Sequence, residues 1–339
     1  MTELKEYLAE RRTITLTCHI KPDGDAIGSV LGLYHILKKD HEVSIIVPSE
    51  YPEFLAWMPG IENIVVYSEE NLDICQEILS DTEVLFCLDF SGLNRVGDFE
   101  QLISGKSFKY VMIDHHLEPQ DFDDYRFWST EAAATCQLIF QLAEEWKIVR
   151  KVSKEAATCL YTGILTDTGC FRHSNTTAEI HRIAAKLIKK GADNSAINQK
   201  LNDSNTESRL KILGHALANR LTVLKDKKTA YIVLEEKDHI NFNLQTGDTE
   251  GLVNFALSLH GIVFASLISW SEKIIKLSLR SKGTFPANEI AQKYFQGGGH
   301  RNASGGKSDV NIEETVALFL EAVEEFQPQL QNEYNKLYN

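Results

Sequence analysis

Three apolar segments of this chain each end on residue types that hold hard metal ions. The β-branched run opening at Thr13 stops at His19, and Asp23 and Asp25 follow within the Pro/Gly turn HIKPDGD. Val84–Leu88 ends in Asp89, and Tyr110–Ile113 ends in Asp114-His115-His116. A further carboxylate, Asp167, follows the short apolar stretch of YTGILTDTG. Carboxylate and imidazole together suit a divalent ion such as Mn²⁺ better than a soft thiolate site would. His19, Asp23, Asp25, Asp89, His115 and Asp167 are more ligands than one catalytic ion with open positions requires, so two ions sharing a carboxylate follow. Paired ions about 3.5–4 Å apart clamp the attacking and leaving oxygens of a phosphoryl displacement.

Such ligands need a scaffold that brings strand ends together. One Asp beside a strand-to-helix turn is ordinary turn chemistry. Three strand ends of this kind are what a parallel sheet needs to converge ligands on one edge. Glu42–Val47 and Asn63–Tyr67 read as further strands. Leu72–Leu79, Phe99–Ile103, Thr135–Trp146, Lys154–Leu165 and Ala178–Lys190 read as helices, and another opens near Gly28 into Val30–Leu37. The alternation predicts an α/β fold, a mainly parallel sheet covered by helices on both faces. Residues 192–220 are polar, helix-prone and free of proline, which marks a helical connector. Beyond it, Thr229–Leu234, Ile262–Trp270 and Ile274–Arg280 read as strands, and Pro286–Phe295 and Glu313–Phe326 as helices. The expected organisation is a catalytic domain over 1–191, a connector over 192–220 and a smaller mixed α/β domain over 221–339.

His19-x-x-x-Asp23-x-Asp25, Asp89, Asp114-His115-His116 and Asp167 resemble the successive motifs of the DHH phosphoesterases. Gly297-Gly298-Gly299-His300-Arg301-Asn302-Ala303-Ser304-Gly305-Gly306 is similar to the glycine-rich signature of the DHHA1 domain. The two lie in the expected order and span nearly the whole chain. The nearest resemblance is to the stand-alone bifunctional branch, nanoRNases that also remove the 3′-phosphate of pAp (adenosine 3′,5′-bisphosphate).

The resemblance implies that His19, Asp23 and Asp89 hold one ion, and that Asp25, Asp89, His115 and Asp167 hold the other. Asp25, Asp89 and His116 are then the catalytic set, with hydroxide activated between the ions as nucleophile. Mn²⁺ is the leading candidate, with Mg²⁺ and Co²⁺ as alternatives. Neighbouring side chains diverge on an extended strand, so His116 is expected to hydrogen-bond the scissile phosphate, or to orient its neighbours, rather than to ligate. The glycines let backbone N–H groups approach an anion. The resemblance places Gly298, Gly299, His300, Arg301 and Asn302 on the substrate, across a cleft from the metals. Arg95, Arg280 and Ser281 are further substrate-binding candidates. It also implies a homodimer.

Composition narrows the substrate. With 35 Lys and Arg against 48 Asp and Glu, the net charge is −13. Long duplexes are gripped through many cation–phosphate contacts, so short RNA oligonucleotides, pAp and pApA fit better than long duplex nucleic acid. No stretch approaches the ~20 apolar residues that span a bilayer, and the charged N-terminus lacks a signal-like apolar core. Cytoplasmic residence without membrane attachment is therefore expected. The six cysteines lack C-x-x-C spacing and read as small buried hydrophobes. The expected activity is hydrolysis of short oligoribonucleotides to mononucleotides, and of pAp to AMP and phosphate. Three alternatives share the site: a linear or cyclic dinucleotide phosphodiesterase acting on pApA or cyclic di-AMP, a single-strand DNA exonuclease, and a nucleotide sensor without turnover.

Overall fold

The computed structural model describes residues 1–202, 206–245, 247–271 and 274–338. Residues 203–205 of the expected connector lie outside the described residues. The chain divides into two compact units, Met1–Ser204 and Asn205–Asn339, and the boundary falls inside the 192–220 stretch.

The first unit is built on six strands: β1 (Thr13–Thr17), β2 (Glu42–Val47), β3 (Ile64–Val66), β4 (Val84–Leu88), β5 (Lys109–Asp114) and β6 (Tyr125–Trp128). They lie in the order β3-β2-β1-β4-β5-β6, and every pairing is parallel. Successive β4 residues face opposite sides of the sheet. Val84, Phe86 and Leu88 join a core with helices Gly24–Leu37, Thr135–Glu145 and Lys154–Asp167. Leu85 and Cys87 join a second core with helix Leu72–Ser80 and the Leu93–Ile103 segment. Both faces are covered, which is why β4 reads as an unbroken apolar run. The chain winds outward from β1 to one edge and returns to β4, so the strand order reverses between these two. Crevices at such a reversal, at the carboxyl ends of the strands, are where open α/β sheets bind ligands.

The helix expected from near Gly28 begins four residues earlier. It starts at Gly24, with Asp23 as N-cap accepting from the N–H groups of Asp25 and Ala26 at 3.0 and 3.1 Å. The carboxylate satisfies two donors that the first helical turn leaves unpaired, so Asp25 already lies on the helix. β6 was also missed, because YRFW is a short edge strand with no alternation to betray it.

The second unit has strands β7 (Leu221–Leu224), β8 (Thr229–Leu234), β9 (Phe264–Ser271), β10 (Ile274–Ser281), β11 (Gly298–His300) and β12 (Ala303–Ser308). Their order is β11-β12-β10-β9-β8-β7. All neighbours are antiparallel except β8 and β9. Ile275, Leu277 and Leu279 of β10 pack against helices Ala287–Tyr294 and Ile312–Glu325, while Ala265 and Leu267 of β9 face the core beside helix Leu252–Leu257. The glycine-rich segment is not an open nest. It forms the β11–β12 hairpin, turning at Arg301 and Asn302.

Candidate metal and phosphate site

β1, β4 and β5 end side by side at the reversal point, and each delivers its polar residues there. Beyond β1, His19 donates Nδ1–H to the Ile20 carbonyl at 2.9 Å. A carbonyl can only accept, so Nδ1 carries a proton and Nε2 is the nitrogen turned to the acids. His115 follows β5 and does the same toward the Ala132 carbonyl at 3.3 Å. Fixing one ring nitrogen on a carbonyl is how proteins set the tautomer of a metal-binding histidine. Asp89 follows β4 with φ +66°. This left-handed backbone, which Asp tolerates better than most residues, turns the carboxylate out of the strand direction.

Asp89 stands in the middle of the cluster. Its Oδ2 lies 3.5 Å from His19 Nε2, and its Oδ1 lies 3.5 Å from His115 Nε2. Asp23 Oδ2 is 4.0 Å from His19 Nε2. On the other side, His115 Nε2 is 3.4 Å from Asp167 Oδ2 and 4.0 Å from Asp25 Oδ2. Three groups of potential ligand atoms, each within 4.8 Å, result: His19/Asp23/Asp89, Asp25/His115/Asp167 and Asp89/His115/His116. All six expected ligands are therefore brought together, and one carboxylate links two of the groups.

Asp167 arrives from a helix, and close packing carries it in. Helix Gly24–Leu37 presents Gly24, Gly28 and Gly32 to helix Lys154–Asp167. A Cβ on Gly28 would lie 2.7 Å from the Cys159 carbonyl oxygen. A Cβ on Gly163 would lie 2.7 Å from Asp25 Oδ1. Any side chain at these positions would push the two helices, and with them Asp25 and Asp167, apart.

Helix Thr135–Glu145 supplies what the sequence reading missed. Ala134 gives it no side-chain cap; Asp25 serves instead, accepting from Thr135 N–H at 2.5 Å and from Cys136 N–H at 3.0 Å. Thr135 also donates its hydroxyl to Asp89 Oδ1 at 2.9 Å. Asn175 donates to the Ala133 and Asp167 carbonyls at 3.4 and 3.2 Å, tying the two sides of the site. An uncapped helix start after a run of alanines was the only available signal.

The two histidines of the Asp114-His115-His116 triplet do not diverge. β5 ends at Asp114, so the extended geometry that separates neighbours is already lost. The rings sit 4.7 Å apart, and His116 Nδ1 is 3.8 Å from Asp89 Oδ1. A closer bond, 2.7 Å to the wholly buried Asp114 Oδ1, orients the ring.

The electrostatics are those of an anion cluster. Burial raises the pKa of Asp25, and the charge of Asp89 adds to it. Burial does the same for Asp167, with Asp25 and Asp23 adding to it. Burial presses the His19 imidazole down, yet Asp89 and Asp23 outweigh it and leave the ring raised to about 9. His115 rises to about 10 for the same reason. Among the described residues, no lysine or arginine pairs with Asp23, Asp25, Asp89, Asp114 or Asp167. Hard oxygen donors, two preset imidazoles and excess negative charge fit divalent cations. Burial keeps the Cys18 and Cys87 thiols far above their ordinary pKa, hence neutral.

The family model described as DHH family, N-terminal domain, matches residues 13–164, and that described as DHHA1 domain matches residues 215–328. The bifunctional oligoribonuclease and PAP phosphatase NrnA of Thermus thermophilus is 31% identical over 317 residues, covering 92% of this chain and 89% of its own length. The chain belongs to the DHH family. A probable bifunctional oligoribonuclease and PAP phosphatase NrnA from Streptococcus mutans is similar to this DHH protein at 29% identity, covering 91% of this chain and 94% of its own. An exopolyphosphatase-related protein from Bacteroides fragilis has a crystal structure that matches with TM-score 0.95 and 38% identity over 97% of each chain. As a DHH protein with a DHHA1 domain, the chain is a phosphoric ester hydrolase, as its motifs implied. No described helix is long and apolar enough to cross a membrane.

In the DHHA1 unit the expected substrate residues divide into two kinds. Asn302 donates to the carbonyls of Ser281 and Gly283 and to Ser281 Oγ, and Ser281 donates in turn to the Phe285 carbonyl. Both shape the hairpin from within. Gly297 is also structural, since a Cβ there would lie 2.0 Å from the Gly305 carbonyl oxygen. Gly298 faces open space, and Gly299 adopts φ +130°. His300 and Arg301 are exposed. Arg280 is half-buried and donates to the Leu279 and Ser304 carbonyls. Among the described residues, Arg95 of the first unit, Arg280 and Arg301 make no ion pair with a carboxylate.

Proposed function

We propose that this protein hydrolyses short oligoribonucleotides to mononucleotides and pAp to AMP and phosphate. The observation that carries the metal-dependent chemistry is buried Asp89, whose two oxygens each face a different imidazole within one acid cluster. The names borne by relatives similar over nine-tenths of this chain support the substrate class. In this reading, residues 1–191 form the catalytic domain, 192–220 the connector and 221–339 the substrate-binding domain.

His19, Asp23 and Asp89 would hold one divalent ion, and Asp25, Asp89, His115 and Asp167 the other, Mn²⁺ being the first to try. When bound, the pair supplies an activated water and neutralises charge on the phosphoryl oxygens. The chain's own residues do the rest. Asp25, fixed by the Thr135 and Cys136 amides, and Asp89, fixed by the Thr135 hydroxyl, keep the cluster rigid before substrate arrives. His116, oriented by Asp114, is placed to donate a proton or a hydrogen bond at the phosphate. Arg95, Arg280, His300 and Arg301, with the open backbone of Gly298 and Gly299, receive the remaining phosphate charge. Ser281 and Asn302 contribute by shaping the hairpin.

The test is product analysis in Mn²⁺ with pAp, a short oligoribonucleotide, pApA and long single-stranded DNA in parallel. AMP from pAp together with mononucleotides from the short RNA is the expected result. Turnover of pApA alone would replace it with dinucleotide clearance, and preference for the long DNA would overturn it.

A further inference from the structure

We propose that Trp128 is the platform on which the nucleobase of the substrate stacks, a specificity role that rests on the nucleotide-hydrolysing activity proposed above. Trp128 closes β6 and pairs in register with Asp114, so it stands at the same strand ends as the metal cluster. Its indole N–H donates to the His116 carbonyl at 2.7 Å. The ring is thereby anchored to the backbone of the residue whose Nδ1 lies 3.8 Å from Asp89 Oδ1. It nevertheless remains 38% exposed, and the adjoining Leu117 is 68% exposed. Of the chain's four tryptophans, Trp57 and Trp270 are half-buried and Trp146 is buried. Trp128 alone is turned to solvent.

The part of this ring left open beside a polar, acidic site buries no apolar area and so adds nothing to folding. What it offers is a pre-ordered π-face, so little conformational entropy is lost when a base settles on it. The net charge of −13 makes the same demand from another side. A polyanionic substrate gains little from long-range attraction to this surface, so affinity must come from local contacts, and stacking is one that every base can make. A platform of this kind reads no particular base, which suits an enzyme whose short substrates vary in sequence.

The experiment compares the wild type with Trp128→Ala and Trp128→Phe on pAp and on the same sugar bisphosphate lacking its base. Trp128→Ala is expected to raise KM for pAp roughly tenfold, the scale of one lost stack, with kcat little changed and the baseless substrate unaffected. Trp128→Phe keeps a stacking ring without the N–H and is expected to stay near wild-type KM. AMP should quench intrinsic fluorescence in the wild type, and most of that quench should vanish in Trp128→Phe. Equal damage to both substrates, or kcat losses alike in the two variants, would overturn the platform in favour of support for the His116 backbone. A changed oligomeric state with unchanged KM would overturn it in favour of a covered face. Should the wild type hydrolyse neither compound, the proposed activity fails, while the AMP quench still decides the platform.

Discussion

The second unit pairs its buried carboxylates with donors that dominate, whereas the first crowds two of its own, Asp25 and Asp167, among other acids. In the second unit, Glu333 accepts from the Thr284 N–H at 2.9 Å, the Thr284 hydroxyl at 2.6 Å and Lys336 at 3.3 Å. Asp238 accepts from Arg220 at 2.8 Å and the Glu235 N–H at 3.0 Å, with His215 at 3.1 Å. Burial pushes both acids upward, but these donors prevail and hold them below the ordinary carboxylate range. In the first unit, burial and neighbouring anions both push Asp25 and Asp167 up. A carboxylate given its own donors stabilises the fold that buries it. One surrounded by other carboxylates stores unfavourable energy, which an arriving cation releases as binding. The same residue type thus serves architecture in one unit and readiness in the other.

The sharpest way to break this contrast is Asp89→Ala. It should lower phosphoester turnover by about a thousandfold or more, the scale of losing charge stabilisation at the reacting centre. It should also abolish the rise in melting temperature that Mn²⁺ gives the wild type, as differential scanning calorimetry would show. An undiminished Mn²⁺ shift would mean that the acids are not one cation-binding cluster.

Thr135→Val is subtler. The backbone N–H to Asp25 stays, and only the hydroxyl on Asp89 Oδ1 is removed. Loss of a partner that orients a metal ligand costs about 10–100-fold in metal affinity, and isothermal titration with Mn²⁺ reads it directly. Unchanged affinity would show that Asp89 is held by its neighbours alone.

Thr135 also shows where legibility ended. His19, Asp89 and His115 were visible because strand ends on a buried parallel sheet leave a sharp apolar-to-polar edge in the sequence. The parallel sheet itself was legible for the same reason, through unbroken runs such as VLFCL. Thr135 was not, since its role depends on helix Thr135–Glu145 starting against Asp25, a pairing 110 positions apart that no local pattern records. The Gly24/Gly28/Gly32 spacing was open to reading as a close-packing stripe, yet glycines beside a turn read first as turn residues. In the second unit, three consecutive glycines suggested an open anion-binding loop. Gly297 turned out to be required where two backbones of a hairpin nearly touch, because glycine serves both purposes and sequence does not separate them.

Glu333→Ala tests the architectural side. It removes the carboxylate to which the Thr284 N–H and hydroxyl donate, at a cost of about 1.5–3 kcal/mol, the scale of a hydrogen bond to a charged group. Urea unfolding should show the loss, and the Mn²⁺ shift of the first unit should be untouched. A loss of Mn²⁺ response in this variant would mean that the two kinds of acid are not independent.

The smallest effect is a divergence with pH in protein stripped of metal. His19 and His115 are raised to about 9 and 10, above the unfolded value of about 6.5. Their contribution is full below that unfolded value and is lost as pH rises through the folded ones. Asp25 and Asp167 act in the same sense, since an acid with a raised pKa costs the fold stability as pH climbs from the unfolded carboxylate value of about 4 to the folded one. Metal-free first unit should therefore weaken between pH 6 and pH 10. Asp238 and Glu333 are depressed, so their stabilisation is complete above about pH 4, the unfolded carboxylate value, and is lost only as pH falls below it. The second unit should hold level over the window in which the first declines. Hydrogen exchange along the full chain, corrected for the intrinsic pH dependence of exchange, separates the two. Saturating Mn²⁺ should flatten the first unit's slope, because the ions take the place of the protons that the histidines and acids give up. Parallel slopes with and without metal would place the pH sensitivity outside the cluster.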